Sequence, residues 1–388
     1  MFSQQILIED IDSLYTKLCY GTNSEFPVNI WNPYKVYEKN CGCLTLEELF
    51  NLDTVYISAK RCAGGFYNKS DTQKFMNNIM YNSKKLCEKV LNGTFIPKYY
   101  KERIICERGK YRVIKPPTFE CKVVQKVLCD YMIRPLLEPK MTHTCYASVK
   151  GRGTSKMYED INIGLNNALN KYKNFDVITF DCKNYFGSIP IEKLMNKLSK
   201  YIKDKRVLDL IRSFSPDEYG LSLGNEMSQI PASWYPSGVD HYLKDCLKLD
   251  QYRYMDDQLV IVSDEIKDEV IEEYQARMNA LGLNCPNDKI HIYEKCHDFV
   301  FCKERYHWNK QMKRYQHFIN PKIVGKEEHK IYVFIDKMFS GEMSIEEILL
   351  QTNGVIGSVK SHPNTKKDVN KLLKLQNEAI RLNTEQLQ

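Results

Sequence analysis

The sequence predicts an α+β fold in which a sheet is covered by helices. Three observations carry that prediction. Strand-like apolar runs interleave with segments of helical spacing along most of the chain. The stretch "DQYRYMDDQLVIVSD", from Asp250 to Asp264, reads as a hairpin with apolar arms about a tight turn. The chain has 388 residues, 43% hydrophobic and 27% charged, which is ordinary for a globular protein and long enough to bury a full core.

Taken in order, residues 1–95 read as mostly helical, with "TQKFMNNIMYNSKKLCEKVLNG" placing apolar residues at helical spacing and ending on Gly93. "KERIICERGKYRVIKPP" reads as a basic β-hairpin turning at Arg108, Gly109 and Lys110. "FECKVVQKVLCDYMIRPLLEP" follows as an amphipathic helix stopped by Pro135 or Pro139. "FDVITFDCKNYFGSIP" is a strand that breaks into a turn and leads into the helix "IEKLMNKLSKYI". "SQIPASWYPSGVDHYLKDCLKL" is a helix that Pro236 kinks or interrupts. The hairpin at 250–264 comes next, then the helix "DEVIEEYQARMNALGL" and two strand-like runs, "KIHIYEK" and "DFVFCKERYHW". From about residue 320 the chain turns basic and helical, ending in "NTKKDVNKLLKLQNEAIRL". No internal repeat or low-complexity tract is visible.

Composition narrows the function classes. No run of about 20 apolar residues exists, so no transmembrane helix is expected. The start, "MFSQQILIEDIDSLY", lacks a basic segment followed by a long apolar run, so a cytoplasmic protein without a signal peptide is expected. The 14 cysteines are scattered, which fits reduced thiols better than a disulfide scaffold. Cys41, Cys43 and Cys62 lack the C-x2-C spacing of a zinc site. The net charge of +7 is uneven: Ile96 to Gly153 carries 13 Lys/Arg against 5 Asp/Glu, a local excess of 13 − 5 = +8. Such a concentration is either a solvated basic face or the footprint of phosphate binding.

Asp181 ends the apolar strand "VITFD", and Asp256 and Asp257 sit at the turn of the later hairpin. An Asp-Asp turn alone is common. If the two strands are neighbours, however, three carboxylates converge at one sheet edge and need a cation to offset their repulsion. Hard oxygen ligands of this kind select Mg²⁺ or Mn²⁺.

The segments "FDCKNYFGSIP", "GLSLGNEMSQ" and "YRYMDD", in that order and spacing, resemble the palm of reverse transcriptases. The resemblance runs from about Phe95 to His307, with a weaker thumb-like match beyond. It implies a right-hand polymerase: a helical N-terminal extension and the start of the fingers over 1–95, fingers over 96–170, a palm with an antiparallel sheet over 171–305, and primer grip and short helical thumb over 306–388. It implies catalytic roles for Asp181, Asp256, Asp257 and Lys289, and two Mg²⁺ ions (Mn²⁺ possible) held at Asp181, Cys182, Asp256 and Asp257. It further implies nucleotide contacts from Lys110, Arg112, Phe186, Gly224, Ser228, Gln229, Tyr254 and Met255, with Phe186 as a steric gate favouring dNTPs. Lys150, Arg152, Lys366 and Lys367 are candidate nucleic-acid contacts.

Blander roles stand beside these: a core side chain for Phe186, a helix cap for Ser228, and solvated charges for Lys289, Lys366 and Lys367. Leu223, Cys121 and Lys122 depart from the residues common in the family. "GN..SQ" is closer to diversity-generating and defence-associated bacterial enzymes. The resemblance therefore implies an RNA-directed DNA polymerase of a bacterial or phage defence system or retroelement. Its expected partners are dNTPs, an RNA template or dedicated non-coding RNA, the DNA product, and an accessory protein or second copy, with no membrane. Two rivals remain: template-independent or protein-primed DNA synthesis, for which the 26 tyrosines offer hydroxyls, and a catalytically silent nucleic-acid-binding protein.

Overall fold

The computed structural model of the chain describes residues 41–64, 69–107, 110–215, 217–360, 362 and 365–386. The first 40 residues of the expected helical N-terminal region, and Arg108 and Gly109 of the expected turn, lie outside the described residues.

The N-terminal part that is described is helical, as its apolar spacing predicts: α1 Leu46–Leu49, α2 Leu52–Ala63, α3 Ser70–Met76 and α4 Ile79–Leu91. Thr45 and Glu48 cap α1 reciprocally, and the Asn51 side chain caps α2. β1 Arg103–Glu107 and β2 Lys110–Ile114 form the basic hairpin, antiparallel with Cys106 opposite Tyr111. α5 Phe119–Leu128 then runs through a π turn, Cys129–Ile133, into α6 Arg134–Leu137. Pro135 does not stop this helix. It occupies the first turn of α6, and the run ends in the short turn Glu138–Lys140, which contains Pro139.

α7 Thr154–Lys171 leads to β3 Phe175–Phe180, a strand buried along its whole length. The helices α8 Tyr185–Ser188, α9 Ile191–Ser199 and α10 Lys205–Ser213 follow, the last of them not foreseen in the sequence. α11 Glu226–Trp234 and α12 Ser237–His241 are separated at Tyr235 and Pro236, as the proline predicts. β4 Asp250–Tyr254 and β5 Asp257–Ser263 form the expected hairpin, followed by α13 Lys267–Ala280 and β6 Ile290–Glu294. These strands make a sheet in the order β4-β5-β3-β6, with every pair antiparallel. β3 lies inside it, Ile178 facing Val260 on one side and Ile292 on the other.

The run "DFVFCKERYHW" is not one strand. It splits into β7 Phe299–Phe301 and β8 Glu304–Asn309 about Cys302 and Lys303, whose φ angles are +47° and +82°. Left-handed backbone at two successive residues turns the chain back on itself, a break that side-chain alternation does not record. β9 Arg314–Ile319, also unforeseen, completes a three-stranded sheet. Three helices close the chain: α14 Pro321–Phe339, α15 Ile345–Lys360 and α16 Lys366–Gln386.

Three apolar clusters hold these parts together. The first joins the N-terminal helices, α5 and the helices on one face of the four-stranded sheet, and the second packs α7 between that sheet and β7–β9. The third gathers α14–α16 with Ile319 at the end of β9. Among the described residues, no helix is long and apolar enough to cross a membrane. The expectation of uniformly reduced cysteines fails at one pair: Cys182 and Cys285 form a disulfide, their Cα atoms 4.4 Å apart. They meet because the segment after β3 runs beside the segment before β6, where Lys183 N donates to Asn284 O at 2.9 Å.

Candidate active site

The site is a product of strand register. Phe180 pairs with Gln258, so the next residue on each strand brings Asp181 opposite Asp257 at the edge where both strands end. Tyr254 pairs with Asp257, which leaves Met255 and Asp256 as a two-residue hairpin loop. The three acids predicted from the sequence therefore lie at one end of one sheet. Asp181, Asp256 and Asp257 are each partly exposed, and the strand residues beneath them are buried.

Met255 adopts φ +58°, a left-handed conformation that costs a non-glycine residue on the order of 1 kcal/mol or more. Arg253 holds the loop in that shape. Its Nη1 donates to Met255 O at 2.9 Å, while Nε and Nη2 clasp the Asp240 carboxylate at 2.9 and 2.6 Å. Nη2 also donates to Ser233 O on α11 at 2.6 Å. Arg253 and Asp240 are both buried, and one fully committed guanidinium thus ties the Met255–Asp256 loop to α11 and α12. The candidate set from the sequence omitted Arg253. Its signal was present: a charged residue alternating with tyrosines in a strand, where an inward position demands a buried partner.

Two more side chains bear on the carboxylates. Lys289 Nζ pairs with Asp181 Oδ2 at 2.8 Å, and Asp181 N donates to Lys289 O at 3.2 Å. The hydrogen bond to Asp181 raises the lysine pKa, with the charge of that carboxylate acting in the same sense. Asp288, the preceding residue in the chain, contributes less than Asp181 does. Cys302, at the β7–β8 turn, donates its S–H to Asp257 Oδ2 at 3.3 Å. That contact was not foreseen, because the turn carrying it was not.

The donor set suits a hard divalent cation, since the groups at this edge are carboxylate oxygens. The side chains are not gathered into a ready cage: among the described residues no three His, Cys, Asp or Glu groups are close enough together to hold an ion. Asp181 is turned to Lys289 and Asp257 to Cys302. Cys182 departs from the expected metal set, because its sulfur is bonded to Cys285 and only its backbone carbonyl remains as a donor.

The flanking candidates are placed as follows. Phe186 is half-buried one short turn past Asp181, edge-on to the buried Tyr185 with ring centroids 5.8 Å apart. Leu221 N donates to Phe186 O at 2.8 Å, which binds the segment before Gly224 to the Phe186 backbone. Gly224 is exposed at φ +81°, a conformation that favours glycine. Ser228 is buried within α11 and is not its cap. Asn225 holds that position, its Oδ1 accepting from Met227 N at 3.0 Å while its Nδ2 is buried without a partner among the described residues. Gln229 is exposed, and Tyr254 is partly buried.

Lys110 and Arg112 lie on β2, but their side chains are not among those described. Lys150 is exposed. Arg152 is committed to the protein itself, its Nη1 donating to Thr142 O and Cys145 O at 2.7 and 2.9 Å. Lys366 and Lys367 are exposed at the start of α16.

The family model for reverse transcriptase (RNA-dependent DNA polymerase) matches residues 96–314. The chain belongs to that family. The match spans β1 to the start of β9 and includes the three acids and Lys289, so the right-hand α+β polymerase fold expected from the sequence holds. No curated protein matches the chain. Among solved structures it is similar to telomerase from Candida albicans in complex with a TWJ fragment of telomeric RNA, at 13% identity and TM-score 0.44, covering 72% of this chain and 57% of that one. It is also similar to apo telomerase from Candida tropicalis truncated from its C-terminal domain, at 13% identity and TM-score 0.43, covering 62% and 60%. The chain thus spans less than two thirds of either telomerase chain.

Proposed function

We propose that this member of the reverse transcriptase family is an RNA-directed DNA polymerase that adds dNTPs to a 3′-hydroxyl. The observation that carries the reading is the register that sets Asp181 opposite Asp257, with Asp256 in the adjoining loop. Two Mg²⁺ ions at these carboxylates would supply nucleophile activation and charge neutralisation at the pyrophosphate. The chain's own residues do the positioning. Arg253 fixes the loop that presents Asp256, and Cys302 orients Asp257. Lys289 holds a proton beside Asp181, where it offsets that carboxylate's negative charge. Phe186 offers a ring one turn from Asp181 that excludes a ribose 2′-hydroxyl. Gly224 lets backbone approach the nucleotide, with Gln229 at the template side, and Lys110 and Arg112 are assigned to the triphosphate.

The fingers, palm and thumb boundaries expected from the sequence belong to this proposal, with α14–α16 as a short thumb gripping duplex. So do a dedicated non-coding RNA and a role in bacterial or phage defence or a retroelement, which rest on the resemblance of "GN..SQ".

The test incubates purified protein with Mg²⁺ and each labelled dNTP in turn, with and without a primed RNA template, and challenges products with DNase, RNase and protease. Template-dependent extension needing four dNTPs is the expected result. Labelling by one or two dNTPs without template, shifted by protease, replaces it with protein-primed synthesis. No incorporation in any format contradicts the reading.

A further inference from the structure

Away from the carboxylates, α7 and β9 flank an open cavity of about 620 Å³ that the proposed polymerase reaction leaves unused. Its distance from the carboxylates follows from β8. That strand begins beside Cys302, which touches Asp257, and runs from Glu304 to Asn309, about 17 Å at roughly 3.3 Å per residue. Arg314 pairs with Asn309 at the distal end, so the cavity mouth lies a strand's length from the catalytic edge.

Its lining is rich in amides and cations. Asn162, Asn166 and Asn170 recur every fourth residue along one face of α7, and asparagine is a poor helix former that the fold alone would not select three times over. One of the three has a structural use: Asn166 pairs with the backbone of Tyr315, donating to its carbonyl at 3.1 Å and accepting from its N–H at 2.9 Å. The others do not. The side-chain oxygen of Asn162 has no hydrogen-bond partner among the described residues, and Asn170 is exposed. Across the cavity stand Lys313 and Arg314, both exposed, with no carboxylate in the lining. Neither cation takes part in an ion pair with a described residue, whereas Lys171 pairs with Asp250 and Arg305 with Asp298.

We propose that this cavity is a second nucleic-acid site, one that holds a strand of structured RNA by its sugar-phosphate backbone outside the polymerase cleft. Lys313 and Arg314 pair with phosphates, Arg314 through its fork, and the carboxamides of Asn162 and Asn170 meet 2′-hydroxyls. A metabolite pocket would enclose its ligand in apolar walls, whereas amides and unpaired cations on an open groove suit a hydrated, charged chain. The proposal rests on RNA being this chain's partner, but not on its catalysing synthesis.

The test compares wild-type protein with Lys313→Ala/Arg314→Ala and with Asn170→Ala. The probes are a labelled stem-loop RNA with single-stranded flanks, the DNA of the same sequence, and a short RNA–DNA hybrid sized for the cleft. Melting curves confirm that each variant is folded. The expected result is at least tenfold weaker binding of the stem-loop RNA by the double variant, with the slope of log affinity against log salt reduced by about 1.4, or 0.7 for each of two lost single-strand contacts. Hybrid binding changes less than twofold, and crosslinks from the stem-loop RNA map to α7 and β9. Unchanged affinity and slope for the stem-loop overturn the site, and an absence of RNA preference over DNA overturns its assignment to RNA. If wild-type protein incorporates no nucleotide, the proposed polymerase activity falls while this binding comparison still reads out.

Discussion

Asp240 and Arg253 are the clearest case of a single residue pair deciding the shape of the site. Both are buried, joined by a forked contact, and the guanidinium also reaches Met255 O and Ser233 O. Asp240→Asn leaves Arg253 short of its charge partner and is expected to cost roughly 3–5 kcal/mol in urea unfolding, because a buried charge is uncompensated. Arg253→Met removes both charges' mutual need only in part, but frees the Met255 loop. It should therefore lower nucleotide incorporation by more than its loss of stability explains, whereas equal activity at unchanged KM would remove its positioning role. Lys197 makes a pH-dependent prediction. Burial against Trp234 and Tyr235 pushes its ammonium down to about 8 from 10.5, with the charge of Lys200 adding to the effect. The folded chain then binds fewer protons than the unfolded chain between those values, so this residue's contribution to stability rises with pH from about 8 to 10.5. Lys197→Met should abolish that part of the rise, read from melting curves at pH 7 and pH 9; an unchanged pH dependence would contradict it. The acids were legible in the sequence because carboxylates at the end of an apolar strand need a reason. Arg253, Cys302 and Asn225 were not, since their roles depend on partners 13, 45 and 2 residues away, set by packing.

At the scale of elements, periodicity served well where a segment has one buried face and poorly where it has none. The β4–β5 hairpin, β3 and α13 fall where alternation and helical spacing put them. β7, β8 and β9 were merged or missed because the turn at Cys302 and Lys303 uses left-handed residues that are neither glycine nor asparagine. Pro135 was misjudged for the opposite reason: a proline that ends a helix interior is harmless in the first turn of a new one. These strands carry an interaction that joins α7 and the β7–β9 sheet to the last helices. Glu304 on β8, fully buried, accepts from His317 on β9 at 2.8 Å and from His362, between α15 and α16, at 2.7 Å. Tyr158 of α7 stacks on His362 with centroids 5.2 Å apart. Glu304→Gln weakens both contacts by removing the carboxylate charge. Hydrogen exchange should then quicken in α15 and α16 while β3 and β5 keep their protection. Uniform quickening throughout would show that Glu304 supports the whole fold instead.

For the molecule as a whole, the charge distribution and the fold tell one story at different resolutions. The excess of +8 between Ile96 and Gly153 fits either phosphate binding or a solvated basic face, and within it the Arg152 Nη1 is spent on the carbonyls of Thr142 and Cys145. The sheet edge with its three acids was legible because three short motifs occur in order. The division of labour around it was not, because a disulfide at Cys182, an ammonium at Asp181 and a thiol at Asp257 arise from segments about 40 to 110 residues distant. The central claim is that Asp181, Asp256 and Asp257 form one metal-dependent centre for nucleotide addition. The most direct measurement is Mg²⁺-dependent dNTP incorporation by Asp181→Asn, Asp256→Asn and Asp257→Asn, each checked for folding by its melting temperature. Each single change should lower incorporation by about 10²–10³-fold or more, the scale of losing one electrostatic contact to a transition state, with melting temperature unchanged or higher once repelling charges are removed. A folded variant that keeps activity within tenfold of the wild type would contradict the account.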